Sequence, residues 1–163
     1  MRPETILKIE FEISQIDMLL DETSPLLKLA KNKIPDTTET AALGLFLQSF
    51  YNGIENIIKF VIAEKYERLP SGIKWHKELL DMCFIEIEGG KKLFSEKIKN
   101  ILDDYLRFRH FVRNTYSYKI KWERMEELIL NIFENWEIIK NEIIDYINHF
   151  KKQPVSSDCH RCD

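Results

Sequence analysis

The chain is poor in whatever would cross-link it, interrupt it or carry it into a membrane. It holds three cysteines, five glycines and five prolines in 163 residues. Three thiols do not make a disulfide framework: Cys83 lies in an apolar segment, and Cys159 and Cys162 lie in a polar tail. With so few glycines and prolines, the breaks fall at a handful of points between apolar runs. There is no useful stretch of alternating apolar and polar residues and no Asn-Gly turn, so no strand is expected. No repeat occurs at solenoid periods. No apolar run approaches the roughly 18 residues that span a bilayer. Acids interrupt the apolar residues of MRPETILKIEFEISQ, so this stretch does not read as a secretory signal. Neither sign of charge dominates: 24 basic residues face 27 acidic ones, for a net −3, which argues against a coat for nucleic acid. A cytoplasmic protein of one domain is expected, with no membrane association.

What is present is helical periodicity. Ile6, Ile9, Ile13, Ile16, Leu19 and Leu20 recur at three- and four-residue steps, so residues 4 to about 31 read as one helix, or a pair broken at Pro25. Asp36 or Thr37 can cap a second helix, with Glu39 or Thr40 in its first turn, running to about Arg68. Gly44 and Gly53 each cost that helix about 1 kcal/mol, which close helix–helix approach would explain. Glu55 and Asn56 in it point either at a site or at solvent. Trp75 to Phe84 reads as a short helix in which His76 is a surface or structurally bonded histidine and Cys83 is packing. Leu93 to about Asn114 reads as a long helix, Tyr116 to Trp122 as a turn, and Trp122 to Phe150 as the last helix, with a wide apolar face that leaves a strip for a dimer. The expected fold class is all-α, an up-and-down bundle of about five helices over residues 1–150, with a flexible tail over 151–163. The tail's Cys159-His-Arg-Cys162 could be half a zinc site or a redox pair, but only His160 is nearby as a further ligand, so no metal and no cofactor are assigned.

One segment departs from the acidic average. From Arg107 to Arg124 there are six basic side chains (Arg107, Arg109, Arg113, Lys119, Lys121, Arg124) and one acid, Glu123, a local +5 that leaves −8 for the remainder. Aromatic residues are interleaved with them, among them Phe108, Phe111, Tyr116, Tyr118 and Trp122. On a helix, Arg109, Arg113 and Tyr116 fall within roughly 60° of one another, with His110 and Asn114 on the adjacent strip. Leu102, Tyr105, Phe108 and Val112 form an apolar stripe beside them. Such a helix can bury one side and offer guanidinium, imidazole, amide and phenol groups to a phosphate at its rim.

The stretch RHFVRNTY, Arg109 to Tyr116, resembles the motif of HEPN-domain ribonucleases, in particular the HepT-like toxins paired with minimal nucleotidyltransferase antitoxins. That motif is an Arg, a polar residue, a His four to six positions on, then x-Tyr. Arg109 matches the Arg, His110 the polar residue and Tyr116 the tyrosine; Asn114 stands where the His belongs. The resemblance extends to FLQSFYNGIENIIK (Phe46 to Lys59) and LPSGIKWHKELL (Leu69 to Leu80). It implies a homodimer whose two motifs line one cleft, metal-independent cleavage of RNA, and control by adenylylation (AMPylation) of the motif tyrosine by the nucleotidyltransferase antitoxin. The second helix is implied to pack against the motif helix.

Cleavage without a metal uses the 2′-hydroxyl as nucleophile, so it needs a base, an acid for the leaving 5′-oxygen, and a cation for the crowded phosphorus. Arg109 suits the last task, with Arg113, Arg107 and Lys119 as further phosphate contacts. A histidine suits the first two, but Asn114 can only orient a proton. Three outcomes follow: His110 takes the acid/base role, the enzyme works slowly by charge and position, or the chain is a catalytically inactive member that binds RNA, a nucleotide or its partner. For Tyr116 the implied adenylylation stands beside a plain role as an amphipathic residue closing the helix end. The whole basic segment could equally be a solvated face. The nuclease reading depends on Arg109 facing an open, phosphate-sized hollow built by two copies; a guanidinium locked inside one subunit would remove it. On that reading, Arg109→Ala should abolish cleavage of RNA and leave the fold intact, which a cleavage assay paired with a thermal melt measures.

Overall fold

The structure is a computed structural model and describes residues 1–66, 69–72, 74–86 and 90–151. Cys159 and Cys162, with the rest of the tail after 151, lie outside the described residues. So do Glu67 and Arg68, at the expected end of the second helix, and Gly89. Among the described residues six α-helices follow in order: α1 Pro3–Asn32, α2 Thr37–Lys65, α3 Trp75–Met82, α4 Lys99–Arg113, α5 Glu126–Leu130 and α6 Ile132–Lys151. No strand occurs among the described residues, so the fold is an all-α bundle. No helix among them is long and apolar enough to cross a membrane.

α2 is the axis of the bundle. Leu43, Leu47, Phe50, Ile54, Ile57, Ile58, Val61 and Ile62 are all buried along it, and it packs against α1, α3 and α4. Its start is fixed by a full capping box: the Asp36 carboxylate accepts from the Glu39 amide at 2.8 Å, and the Glu39 carboxylate accepts from the Asp36 amide at 2.8 Å. Two donors that a helix start leaves open are thereby satisfied. The Phe50 ring meets Tyr105 of α4 at 5.1 Å and Trp136 of α6 at 5.9 Å, edge to face in the second case. The Trp136 indole donates to Asp17 of α1 at 2.7 Å, so one aromatic cluster joins α1, α2, α4 and α6.

Pro25 does not split α1, which runs through it. Pro25 and Asp21, whose carbonyl Pro25 cannot serve, are both exposed, and water can satisfy that carbonyl. The motif helix is shorter than its periodicity suggests. Leu93 and Phe94 are buried outside it, and Glu142 holds Ser95 in extended backbone by accepting from its amide at 2.7 Å and its hydroxyl at 2.6 Å. A 3-10 turn at Glu96–Ile98 then leads into α4. The last helix is also not continuous. After a 3-10 turn at Trp122–Arg124, α5 ends at Leu130, and Asn131, with a ψ of 5°, separates it from α6; Asn is a weak helix former.

At Gly53 α1 and α2 come close together. A Cβ there would lie 2.7 Å from Ile16 Cγ1 and 2.9 Å from Ile16 Cδ1. Gly53→Ala should therefore destabilise the protein by about 1–3 kcal/mol through overpacking, against the roughly 1 kcal/mol of helix propensity it gains. A rise in thermal midpoint for this variant would show that the contact yields.

Candidate functional site

Arg109 lies on the inner side of α4 and is only 7% exposed. Its Nε donates to Asn52 Oδ1 of α2 at 2.7 Å, and its Nη2 to Glu55 Oε1 of α2 at 3.5 Å. The third partner comes from α3: Arg109 Nη1 is 3.2 Å from His76 Nε2. His76 Nδ1 is 2.5 Å from Glu55 Oε2. An ionised carboxylate only accepts, so the neutral imidazole carries its proton on Nδ1. That leaves the Nε2 lone pair facing Arg109 as an acceptor. Lys59 adds a second cation at 3.0 Å from Glu55, and its ammonium sits 4.9 Å over the Trp75 ring, which in turn lies 3.5 Å from the His76 ring. His110, half-buried, meets His76 edge-on at 5.2 Å.

Burial, opposed by Glu55, presses the Arg109 pKa below its ordinary value, yet a guanidinium keeps its charge. Burial also lowers His76, with Glu55 pulling the other way, and it lowers His110, helped by Arg109 and Arg113. Both imidazoles are therefore neutral at neutral pH. Burial pushes the Cys83 thiol well up, in keeping with inert packing.

The expected residues are thus divided, and the expectation of one exposed rim is corrected. Arg109 points into the bundle because α2 offers it an amide and a carboxylate there. Tyr116 is not on the helix: α4 ends at Arg113, and Tyr116 has extended backbone (φ −65°, ψ 140°). Asn114 is exposed, and its amide closes its own helix by donating to the His110 carbonyl at 2.8 Å. Arg107 is exposed and paired with Asp104. Arg113 and Lys119 are exposed. Two hollows open elsewhere. One, of about 420 Å³, lies between α4 and α5, with Arg107, Phe111 and Arg124 in its wall. The other, of about 460 Å³, lies between α1 and α2 and is bordered by Glu12, Glu22 and Asn52. Arg109 lines neither. Asn56 reaches Glu12 at 3.5 Å and takes no part in the cluster.

The sequence reading missed Asn52 and set His76 aside. The available signal was three polar residues, Asn52, Glu55 and Lys59, at helical spacing within the apolar run of α2. Among the described residues no group of three or more His, Cys, Asp or Glu is placed to hold a metal.

These features define an all-α bundle with an arginine-centred polar cluster between its second, third and fourth helices. A family model described as HepT-like protein matches residues 42–150, more than half of the sequence, and the chain belongs to that family. The matched span contains every member of the cluster and leaves α1 outside. No curated protein and no solved structure matches the chain.

The buried imidazoles give the fold a pH dependence with a defined sign. Their folded pKa values lie below the ordinary 6.5, so the unfolded chain takes up protons that the folded one refuses. Their contribution is whole above about pH 6.5 and is lost as pH falls through the folded values. The thermal midpoint should drop between about pH 7.5 and pH 5.5, and drop less in His76→Gln and His110→Gln. An equal drop in all three proteins would dissociate the imidazoles from the effect.

Proposed function

We propose that the chain is the HEPN member of a HEPN/nucleotidyltransferase toxin–antitoxin pair, and that it acts by binding RNA, a nucleotide or the nucleotidyltransferase instead of cutting RNA at Arg109. The observation that carries this reading is the closure of the arginine centre within a single subunit. Each of the three guanidinium nitrogens of Arg109 has a partner among Asn52, Glu55 and His76, and 93% of its surface is out of reach, the complement of its 7% exposure. For Arg109 to meet a scissile phosphate, it would have to leave Glu55 behind, a buried carboxylate that would then rest on Lys59 and His76. Asn114, turned back on its own helix, supplies no proton transfer. The groups that remain on offer are Arg113, Tyr116, Tyr118 and Lys119, which suit phosphate and aromatic contacts that need no acid or base.

A second reading, a homodimeric metal-independent ribonuclease controlled by adenylylation, requires that the closed arginine cluster open when two copies pair, and two observations speak for it. Glu55, His76 and Arg109 together place a cation beside an oriented imidazole, with His110 next to it, and pairing of two copies could open the cluster. Tyr116 is 72% exposed and so accessible to a nucleotidyltransferase. In that step its phenol oxygen attacks the α-phosphorus of ATP, the bond to the β-phosphate breaks, pyrophosphate leaves, and the phenol proton passes to a base on the transferase or to water. The new anion would then occupy the neighbouring cations.

Incubation with total RNA in the absence of metal separates the two readings. No 2′,3′-cyclic phosphate ends should form above the level of an Arg109→Lys control. Ends that appear with the native protein and vanish in that folded control would establish the ribonuclease instead. The lysine control is needed because Arg109→Ala removes one partner of a buried pair, a change that costs up to roughly 3–5 kcal/mol. Intact mass after incubation with a nucleotidyltransferase encoded beside the chain, and ATP, tests the control step: a gain of one adenylyl group lost in Tyr116→Phe supports it, and an unchanged mass removes it.

A further inference from the structure

The segment after α4 leaves the helix in a defined path. Asn114 and Thr115 donate to the Phe111 and Val112 carbonyls at 3.2 Å each, Lys119 donates to Tyr116 at 2.9 Å and Ile120 to Ser117 at 3.1 Å. Ser117–Lys119 form a 3-10 turn. Its far end is anchored by Ile120, 5% exposed, and Trp122, 6% exposed. Ile120 lies over α2 at Gly44, where a Cβ would be 3.2 Å from its Cδ1. With both ends fixed, the exposure of what lies between is built into the fold. Tyr116 is 72% and Tyr118 63% exposed. Their rings are near-parallel, 19° apart with centroids at 6.0 Å. The Lys119 ammonium stands 5.7 Å and 5.8 Å from the two ring centres. Arg113 and Lys121 are exposed on either side, and no acid occurs from Phe108 to Trp122.

We propose that Tyr116, Tyr118 and Lys119 form a stacking platform for single-stranded RNA. Nucleobases lie on the tyrosine faces, and the strand's phosphates pair with Lys119, Arg113 and Lys121. Every base has a π-face, so stacking of this kind is tolerant of sequence. Two aligned rings hold a base without the entropy loss of ordering a loose loop. A strand offers successive phosphates to cations spread along the segment, whereas a free nucleotide gathers its phosphates at one point. A duplex keeps its bases stacked on each other and presents no free faces. This proposal deepens the binding reading given above by naming its ligand and its residues. It does not depend on whether Arg109 cuts RNA.

The test is fluorescence anisotropy with a labelled 2′-O-methyl oligoadenylate of about ten nucleotides, within the span of known single-strand sites. This probe lacks the 2′-hydroxyl nucleophile, so a ribonuclease activity would overturn the proposed function without disturbing this measurement. Tyr118→Ala should weaken binding about tenfold or more, while Tyr118→Phe binds like the native protein because the ring remains. Lys119→Ala should lower the slope of log affinity against log salt by about 0.7. Tyr118 is exposed, so these variants fold. Equal binding by Tyr118→Ala, or equal loss in Tyr118→Phe, would overturn the platform. Displacement by duplex RNA as readily as by the unlabelled strand would overturn the single-strand assignment. Displacement by ATP at the strand's own concentrations would reassign the rings to a free nucleotide.

Discussion

A guanidinium withdrawn from water keeps its charge, so whatever surrounds it must answer that charge. In this bundle the answer comes from three helices. Asn52 and Glu55 of α2 and His76 of α3 close around Arg109 of α4, and Glu55 is shared by Arg109, Lys59 and His76. The arrangement matters most to α3. An isolated helix of eight residues is not stable in water, and α3 buries only Leu79 and Leu80 as apolar side chains. His76 gives it a buried polar attachment as well, beside the Lys77–Asp103 pair at 2.7 Å on its α4 side, and the register of α3 against α2 is thereby tied in part to the position of one arginine.

The basic segment then resolves into three environments that a charge count cannot separate. Arg109 is interior. Arg107 faces out and is answered by Asp104, and Arg124 lies 4.5 Å over the Phe111 ring. Arg113, Lys119 and Lys121 remain on the surface. Arg113 also stands in the last turn of α4, where the negative end of the helix dipole favours a cation. The same run of sequence thus supplies an internal tie and an external anion-attracting edge, set back to back across the end of one helix.

The all-α architecture, the core face of α2, the capping box at Asp36 and the close approach at Gly53 were legible because each is a local pattern: apolar spacing, a capping signature, a glycine inside a helix. The site was less legible because it is not local. Arg109, Asn52 and His76 are far apart in the chain, and helical phase alone assigned Arg109 to a rim. Phase says which residues share a face, but not whether that face meets solvent or a carboxylate on a neighbour. It also misleads once a helix stops. Tyr116 was placed beside Arg109 by a geometry that ends at Arg113, and its nearer companion, Tyr118, is related to it by a tight turn. Likewise Leu93 and Phe94 fit a helical stripe, while the bonds from Glu142 to Ser95 hold the chain extended beside them.

The seating of Ile120 over Gly44 couples the interior of the molecule to its outer edge. Gly44 is buried in α2 with Ile120 and Met125 as its nearest neighbours, and Ile120 is the residue on which the tyrosine-bearing turn comes to rest. A methyl group added at that glycine would lie 3.2 Å from Ile120 Cδ1, so the isoleucine side chain would have to give by a few tenths of an ångström. The hydrophobic interior and the footing of the surface turn are therefore shared in this chain: the side chain that fills the space above one buried glycine also belongs to the residue that ends the tyrosine-bearing turn.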